Sequence, residues 1–178
     1  MDVLAGISSG FGATHSPVIG RGSVTSRKQA PGFTVQAAEV EVDTDTGEVT
    51  LKKFVIAQDC GFAVNPLNVA GQMQGGAVQG IGIGLWEEMI YDAQGHLRNP
   101  SLLDYRLPTA ADLPEIETLI VEVPSEDGPY GARGIGEPPI TAGIGALSNA
   151  IADAIGASVT HAPFTPERIL RAMGKIKD

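Results

Sequence analysis

The sequence is short of several things, and each shortage narrows what the chain can be. It holds a single cysteine, Cys60, so no internal disulfide framework is available and a reducing compartment is expected. Aromatic residues make up only 5%, so the core has to be aliphatic. Lys and Arg number 12 against 21 Asp and Glu, and the net charge of -9 argues against a nucleic-acid or anionic-membrane surface. His15, His96 and His161 read as surface or loop residues, with no Cys/His cluster at ligand spacing. Charge is missing altogether from Cys60 to Trp86, a run long enough to span a bilayer. Asn65, Asn68, Gln72, Gln74 and Gln79 lie inside it, however, and so many amides are costly in hydrocarbon. The run therefore reads as a buried helix rather than a membrane span. The start, Met1 to Gly6, lacks a basic region and a sustained apolar stretch, so no signal peptide is expected.

Glycine and proline are plentiful instead, 23 and 12 in a chain of 178 residues. That length fits one globular domain or one piece of a larger one. Residues 1–32 form a poorly defined N-terminal segment, with glycines breaking any periodicity and a solvated basic patch at Arg21, Arg27 and Lys28. Residues 33–178 carry the readable pattern. Phe33 to Val42 alternates as a strand, with Val40 and Val42 on one face and Glu39 and Glu41 on the other. Asp43-Thr44-Asp45-Thr46-Gly47 is a turn, and Val49 to Ala57 returns to complete a hairpin, with a bulge expected at Lys52-Lys53. Nothing in this hairpin suggests chemistry.

Leu67 to Glu88 reads as helical although it contains several glycines, each costing about 1 kcal/mol relative to alanine inside a helix. Gly76, Gly80 and Gly84 repeat every four residues, a smooth stripe that suits close approach of another backbone or of a flat ligand. Gln72, Gly76 and Gln79 share a neighbouring face, where two amides bracketing a glycine can bond a polar ring edge. Both readings, helix packing and ligand contact, stand at this point. A turn at Asp92 to Gly95, an irregular connection and a strand from Ile116 to Val123 follow. Ile140 to Ile155 has apolar residues at helical spacing, with Gly156 as its stop. Ser158 to Thr160 reads as a short strand, and Thr165-Pro166-Glu167 as a capped helix start. The fold class expected is α+β, of mixed hairpins and helices.

The most informative stretch is Gly131-Ala132-Arg133-Gly134-Ile135-Gly136-Glu137-Pro138-Pro139. Its glycine spacing is neither the dinucleotide fingerprint nor a phosphate P-loop. Proline suits the first helical turn, so Glu137 is placed between a glycine-rich loop and a helix start. Glutamate is a poor N-cap, so capping explains it badly; a carboxylate held there can serve as a fixed base. A plain tight turn before a helix is the other reading.

Three segments in this order carry a family resemblance. They are Gln36 to Val42 leading to Asn65-Pro66, Gly71 to Gly82, and Gly134 to Pro139 with the terminal Thr165 to Ile169. Together they resemble the C-terminal part of the molybdopterin-binding subunit of the xanthine dehydrogenase/aldehyde oxidase (molybdenum hydroxylase) family. The resemblance covers roughly residues 33 to 173. It implies that this α+β chain is part of a larger molybdenum-cofactor-binding domain, and that Glu137 is the catalytic base during hydroxylation of an aldehyde or an N-heterocyclic or purine substrate with water-derived oxygen. Gln72, Arg133, Ile135 and Gly136 match cofactor-contacting positions. The metal itself is held by the pterin in that family, so no protein ligand to it is expected.

The cofactor implied is molybdenum-molybdopterin, in the cytosine dinucleotide form, shared with a partner chain; [2Fe-2S] and FAD are expected on other subunits. The implied partners are the remaining molybdopterin-binding chain, an iron–sulfur subunit, a flavin subunit and a small-molecule substrate, with no nucleic acid and no membrane. The implied location is cytoplasmic. The family's subunit is several times longer, so this chain is expected to be one part of a split subunit or a fragment of it, and an initial methionine favours a separate product. A non-catalytic docking module that completes a partner's cofactor domain is the alternative, and carbon monoxide or acyl-CoA chemistry within the same family stays open. A glycine-lined helix left bare would expose apolar surface, so poor solubility is expected for the chain alone.

Overall fold

The computed structural model describes residues 20–23 and 28–177, so the readings of His15 and Arg27 lie outside the described residues. Phe33–Val42 (β1) and Val49–Asp59 (β2) form the expected hairpin. Its turn closes locally. The Asp43 carboxylate accepts from the N–H groups of Asp45 and Thr46 at 2.8 and 3.2 Å, and Gly47 takes a φ of +79° that favours glycine. The slip in alternation is a bulge: Glu39 pairs with Lys53 and Val40 with Leu51, so Lys52 is the extra residue.

The Asn65 side chain accepts from Asn68 N–H at 3.1 Å and Pro66 opens helix α1, Pro66–Leu85, shorter at its end than the apolar pattern suggests. Ile116–Val121 (β3) then joins β2 in parallel, giving a sheet of order β1-β2-β3. A parallel neighbour needs a long crossover, and α1 with the irregular connection after it provides one.

The apolar run after Pro139 is two helices rather than one. Pro138–Thr141 (α2) and Gly143–Ile155 (α3) are separated at Ala142. Just before that break the Pro139 carbonyl accepts from the Gln36 side chain of β1, a partner no local pattern could supply. Gly156, at φ +69°, ends α3 as expected. Ser158 to Thr160 is not a strand: Val159 is buried, and its carbonyl accepts from Ser148 Oγ of α3 at 3.1 Å, so this segment is tied to a helix instead of a sheet edge. Thr165 caps Pro166–Ala172 (α4) by accepting from Arg168 N–H.

Phe54 and Ile56 of β2 meet Met73, Ala77 and Ile81 of α1 and Leu147 and Ile151 of α3 in one apolar, mostly aliphatic core on the inner side of the sheet. The stripe of Gly76, Gly80 and Gly84 is buried in this layer, against α2 and α3. Among the described residues, the outer side of the sheet carries exposed apolar side chains at Phe33, Val35, Leu119 and Val121.

Candidate active site

Two anchors hold the loop that carries Glu137. The first is at the exit of β2. Gly61 bridges to Ala132, Arg133 N–H donates to the Cys60 carbonyl at 2.8 Å, and Phe62 N–H donates to Gly131 O at 2.9 Å. Gly131 itself sits at φ +82°, which lets the chain reverse there. The Arg133 side chain lies at the base of the loop. Its Nε is 3.1 Å from Asp59 Oδ2, and it donates to the carbonyls of Val123 and Pro31 at 3.1 and 2.9 Å. The guanidinium also lies 5.9 Å from the centre of the Phe33 ring, within cation–π range.

The second anchor is Pro139, which is fully buried. Gly76 of α1 lies so close that a Cβ on it would fall 2.5 Å from Pro139 Cβ. The Pro139 carbonyl accepts from Gln36 Nε2 at 2.5 Å.

Between the anchors Gly134, Gly136 and Glu137 are exposed. The Glu137 carbonyl accepts from Ile140 N–H at 3.0 Å, and its carboxylate makes no capping bond, so the side chain is not consumed by the helix start it occupies. Glu137 lines an open cavity of about 380 Å³ together with Gln29, Pro31, Gly32, Gly134 and Gly136. Gln72 is exposed on α1, with Nε2 3.8 Å from where a Cβ on Gly136 would stand. The fold therefore brings Gln72, Gly136 and Glu137 to one surface, although Gln72 and Glu137 are far apart in sequence. Ile135 is half-buried, packs against the core and lines a smaller apolar cavity of about 200 Å³ with Cys60, Phe62 and Val69. Burial pushes the Cys60 thiol above its ordinary value, with the Glu122 charge adding to the effect.

The bracket of Gln72 and Gln79 around Gly76 does not form. Both glutamines are exposed, while Gly76 is buried against Pro139. Nothing in the sequence indicated that Asp59 pairs with Arg133, and Gln36 stood there only as the start of a family-like segment, not as a partner of the loop. Gln36 did leave a signal: it is an amide at an inward position of an otherwise regular strand. Among the described residues, no group of His, Cys, Asp or Glu gathers to hold a metal ion, and no helix is long and apolar enough to cross a membrane.

The family model described as "Molybdopterin cofactor-binding domain" matches residues 12–114. The chain belongs to the molybdopterin cofactor-binding domain family. This domain is 39% identical over 148 residues to the putative xanthine dehydrogenase molybdenum-binding subunit of Escherichia coli strain K12, covering 83% of this chain and 20% of that one. It is 40% identical over 170 residues to the probable hypoxanthine oxidase of the same strain, covering 94% and 17%. Among solved structures it matches quinoline 2-oxidoreductase from Pseudomonas putida 86 with a TM-score of 0.75 and 38% identity, over 80% of this chain and 18% of that one. The domain thus spans about a fifth of the length of these curated relatives.

Proposed function

We propose that this cofactor-binding domain is the part of a molybdenum hydroxylase that supplies the general base, Glu137, for hydroxylation of an N-heterocyclic or purine substrate, or of an aldehyde, with oxygen derived from water. The observation that carries this reading is the position of Glu137. Its backbone is held between two anchors, while its carboxylate has no capping bond and the residue lines an open cavity. A base needs that combination of fixed placement and free lone pairs.

The residues present suit a bound molybdopterin. A Cβ on Gly134 would meet nothing within 4 Å and one on Gly136 would meet only the Gln72 amide, so the backbone there is open to close approach. Gln72 would hold the cofactor through its amide, and Ile135 and Gly136 through their backbone. Arg133 would contribute by holding the base of the loop through Asp59. When bound, molybdenum-molybdopterin, in its cytosine dinucleotide form, supplies the two-electron oxidation. Glu137 takes up the proton released at the oxygen nucleophile, on a carboxylate oxygen that no other described group occupies.

The rest of the molybdopterin-binding polypeptide would close the cavity, and [2Fe-2S] and FAD on further subunits would carry electrons away in the cytoplasm. Relatives named as xanthine dehydrogenase subunit, hypoxanthine oxidase and quinoline oxidoreductase support an N-heterocycle as substrate. The test is Glu137→Gln in the assembled complex, with cofactor content measured alongside turnover. A loss of about 10²–10⁴-fold at unchanged cofactor content is expected for a general base; near-normal turnover refutes the reading.

A further inference from the structure

The segment just after Glu137 is gripped by groups distant in sequence. Gly76 abuts the Pro139 ring, and Gly80 faces the Ile140 carbonyl, where an added Cβ would come within 2.9 Å. Both lie on α1. Gln36 of β1 reaches the same segment, donating from Nε2 to Pro139 O. Gly143 makes room for that amide: a Cβ there would stand 3.2 Å from Gln36 Oε1. The arrangement is demanding. Gln36 Oε1 is buried without a partner among the described residues, and a buried amide atom in that condition destabilises the fold. An apolar side chain at this inward position would avoid the penalty. What the amide does achieve is a single bond, to the carbonyl two residues past Glu137, within a turn in which Ile140 N–H is bonded to the Glu137 carbonyl.

We propose that Gln36 is a positioning residue for Glu137: by holding the Pro139 carbonyl against β1 it fixes the short helix α2 and, through it, the place where the carboxylate stands. The inference rests on the reading of Glu137 as base. Gln36 does not line the cavity at Glu137, so it acts on the rate through Glu137 and not on substrate binding.

The neighbour Gln58 of β2 provides the comparison. It is fully buried on the same inner side of the sheet, both its amide atoms lack partners among the described residues, and no hydrogen bond ties it to the Glu137 loop.

The experiment compares Gln36→Met and Gln58→Met in the assembled complex, prepared with and without the molybdenum cofactor. Methionine keeps the volume and removes the amide. Two quantities are read: hydrogen exchange of the backbone amides of residues 140–143, and steady-state kinetics of the loaded complex. For Gln36→Met, exchange at 140–143 should accelerate about tenfold or more in both preparations. The kcat should fall about 10- to 100-fold, the scale expected when a reacting group is displaced by about an ångström. KM and cofactor content should stay within about twofold of the unaltered complex. Gln58→Met should leave exchange at 140–143 and kcat unchanged.

Unchanged exchange in Gln36→Met overturns the proposal. So does faster exchange with kcat intact, and so does a joint fall of kcat, substrate affinity and cofactor content, which is the mark of general structural damage. Gln36→Asn, which keeps the amide but is one carbon too short to reach, serves if Gln36→Met does not assemble; it should show the same split, and wild-type behaviour overturns the proposal. Glu137→Gln, run in parallel, reports separately on the base. If it retains turnover the base reading fails, while the exchange data still show whether Gln36 holds the segment.

Discussion

Arg133 Nε lies 3.1 Å from Asp59 Oδ2, with 14% and 13% of the two side chains exposed. The pair joins the loop before Glu137 to the last residue of β2, and it is satisfied on both sides. Asp59 Oδ1 accepts from Gly61 and Val123 N–H at 2.9 and 3.1 Å, while Arg133 reaches the carbonyls of Pro31 and Val123. Removing one partner leaves the other charge partly buried and unpaired, which is worse than never having had the pair.

Arg133→Ala should therefore destabilise the assembled complex by about 2 kcal/mol, less than a fully buried pair because solvent reaches both groups. Arg133→Lys should recover less than half of that loss, since an ammonium cannot serve a carboxylate and two carbonyls in the planar geometry of a guanidinium. Thermal or denaturant unfolding measures both. Full stability in Arg133→Ala would show that the loop base is held by backbone bonds alone.

Glycines in two helices should respond in opposite directions. Gly76→Ala gains about 1 kcal/mol of helix propensity but drives a methyl group into Pro139, and overpacking of about 1–3 kcal/mol wins because both groups are buried and neither is flexible. A lower melting temperature is expected. At Gly145 of α3 an added Cβ meets nothing within 4 Å, so Gly145→Ala should raise stability by about 0.5–1 kcal/mol. A matched melting series settles the contrast, and a stabilised Gly76→Ala would mean that α1 and α2 can separate freely.

Cys60 should be inert in the folded protein. Its side chain is buried and its thiol is held above the ordinary value by burial first and by Glu122 second, so little thiolate forms near neutral pH. Alkylation by iodoacetamide should be slow in the native state and fast after denaturation. The sign for stability follows from the raised native value: the stabilisation is complete while the thiol is protonated in both states and is lost as pH rises through that native value. Rapid native-state labelling would contradict the buried placement.

Gln72 should matter for the cofactor and not for the fold. It is exposed on α1, and among the described residues its side chain makes no hydrogen bond that the helix depends on. Gln72→Ala should change stability by less than about 0.5 kcal/mol, the usual range for exposed positions. It should lower the molybdenum and pterin content of the purified complex severalfold. Elemental analysis and pterin assay provide the measure, and full cofactor content would remove Gln72 from the binding set.

Much of the architecture was legible in residue order because the signals that carry it are local. Asp43 to Gly47 closes a turn through its own side chains, Thr165-Pro166 starts a helix, Gly156 stops one, and a slipped alternation at Lys52-Lys53 marks a bulge. Other readings failed where a distant partner intervened. Ile140 to Ile155 has a single helical period, yet the chain breaks at Ala142, beside a carbonyl bonded to Gln36. Gln72 and Gln79 flank Gly76 on a helical wheel, but α2 fills the glycine side and leaves the amides outside.

Residue types and their spacing by themselves determined the hairpin, the glycine-striped helix, the loop that ends in Glu137 and the family that these segments mark. Each depends on dihedral preferences, caps and periodicities that act over a few neighbouring residues. Only the tertiary structure decided that the stripe meets Pro139, that Arg133 turns to Asp59 and that Gln36, 103 positions away, grips the turn behind the carboxylate. Those choices come from packing two helices onto one face of a three-stranded sheet, where the space left beside each glycine determines which distant group can enter.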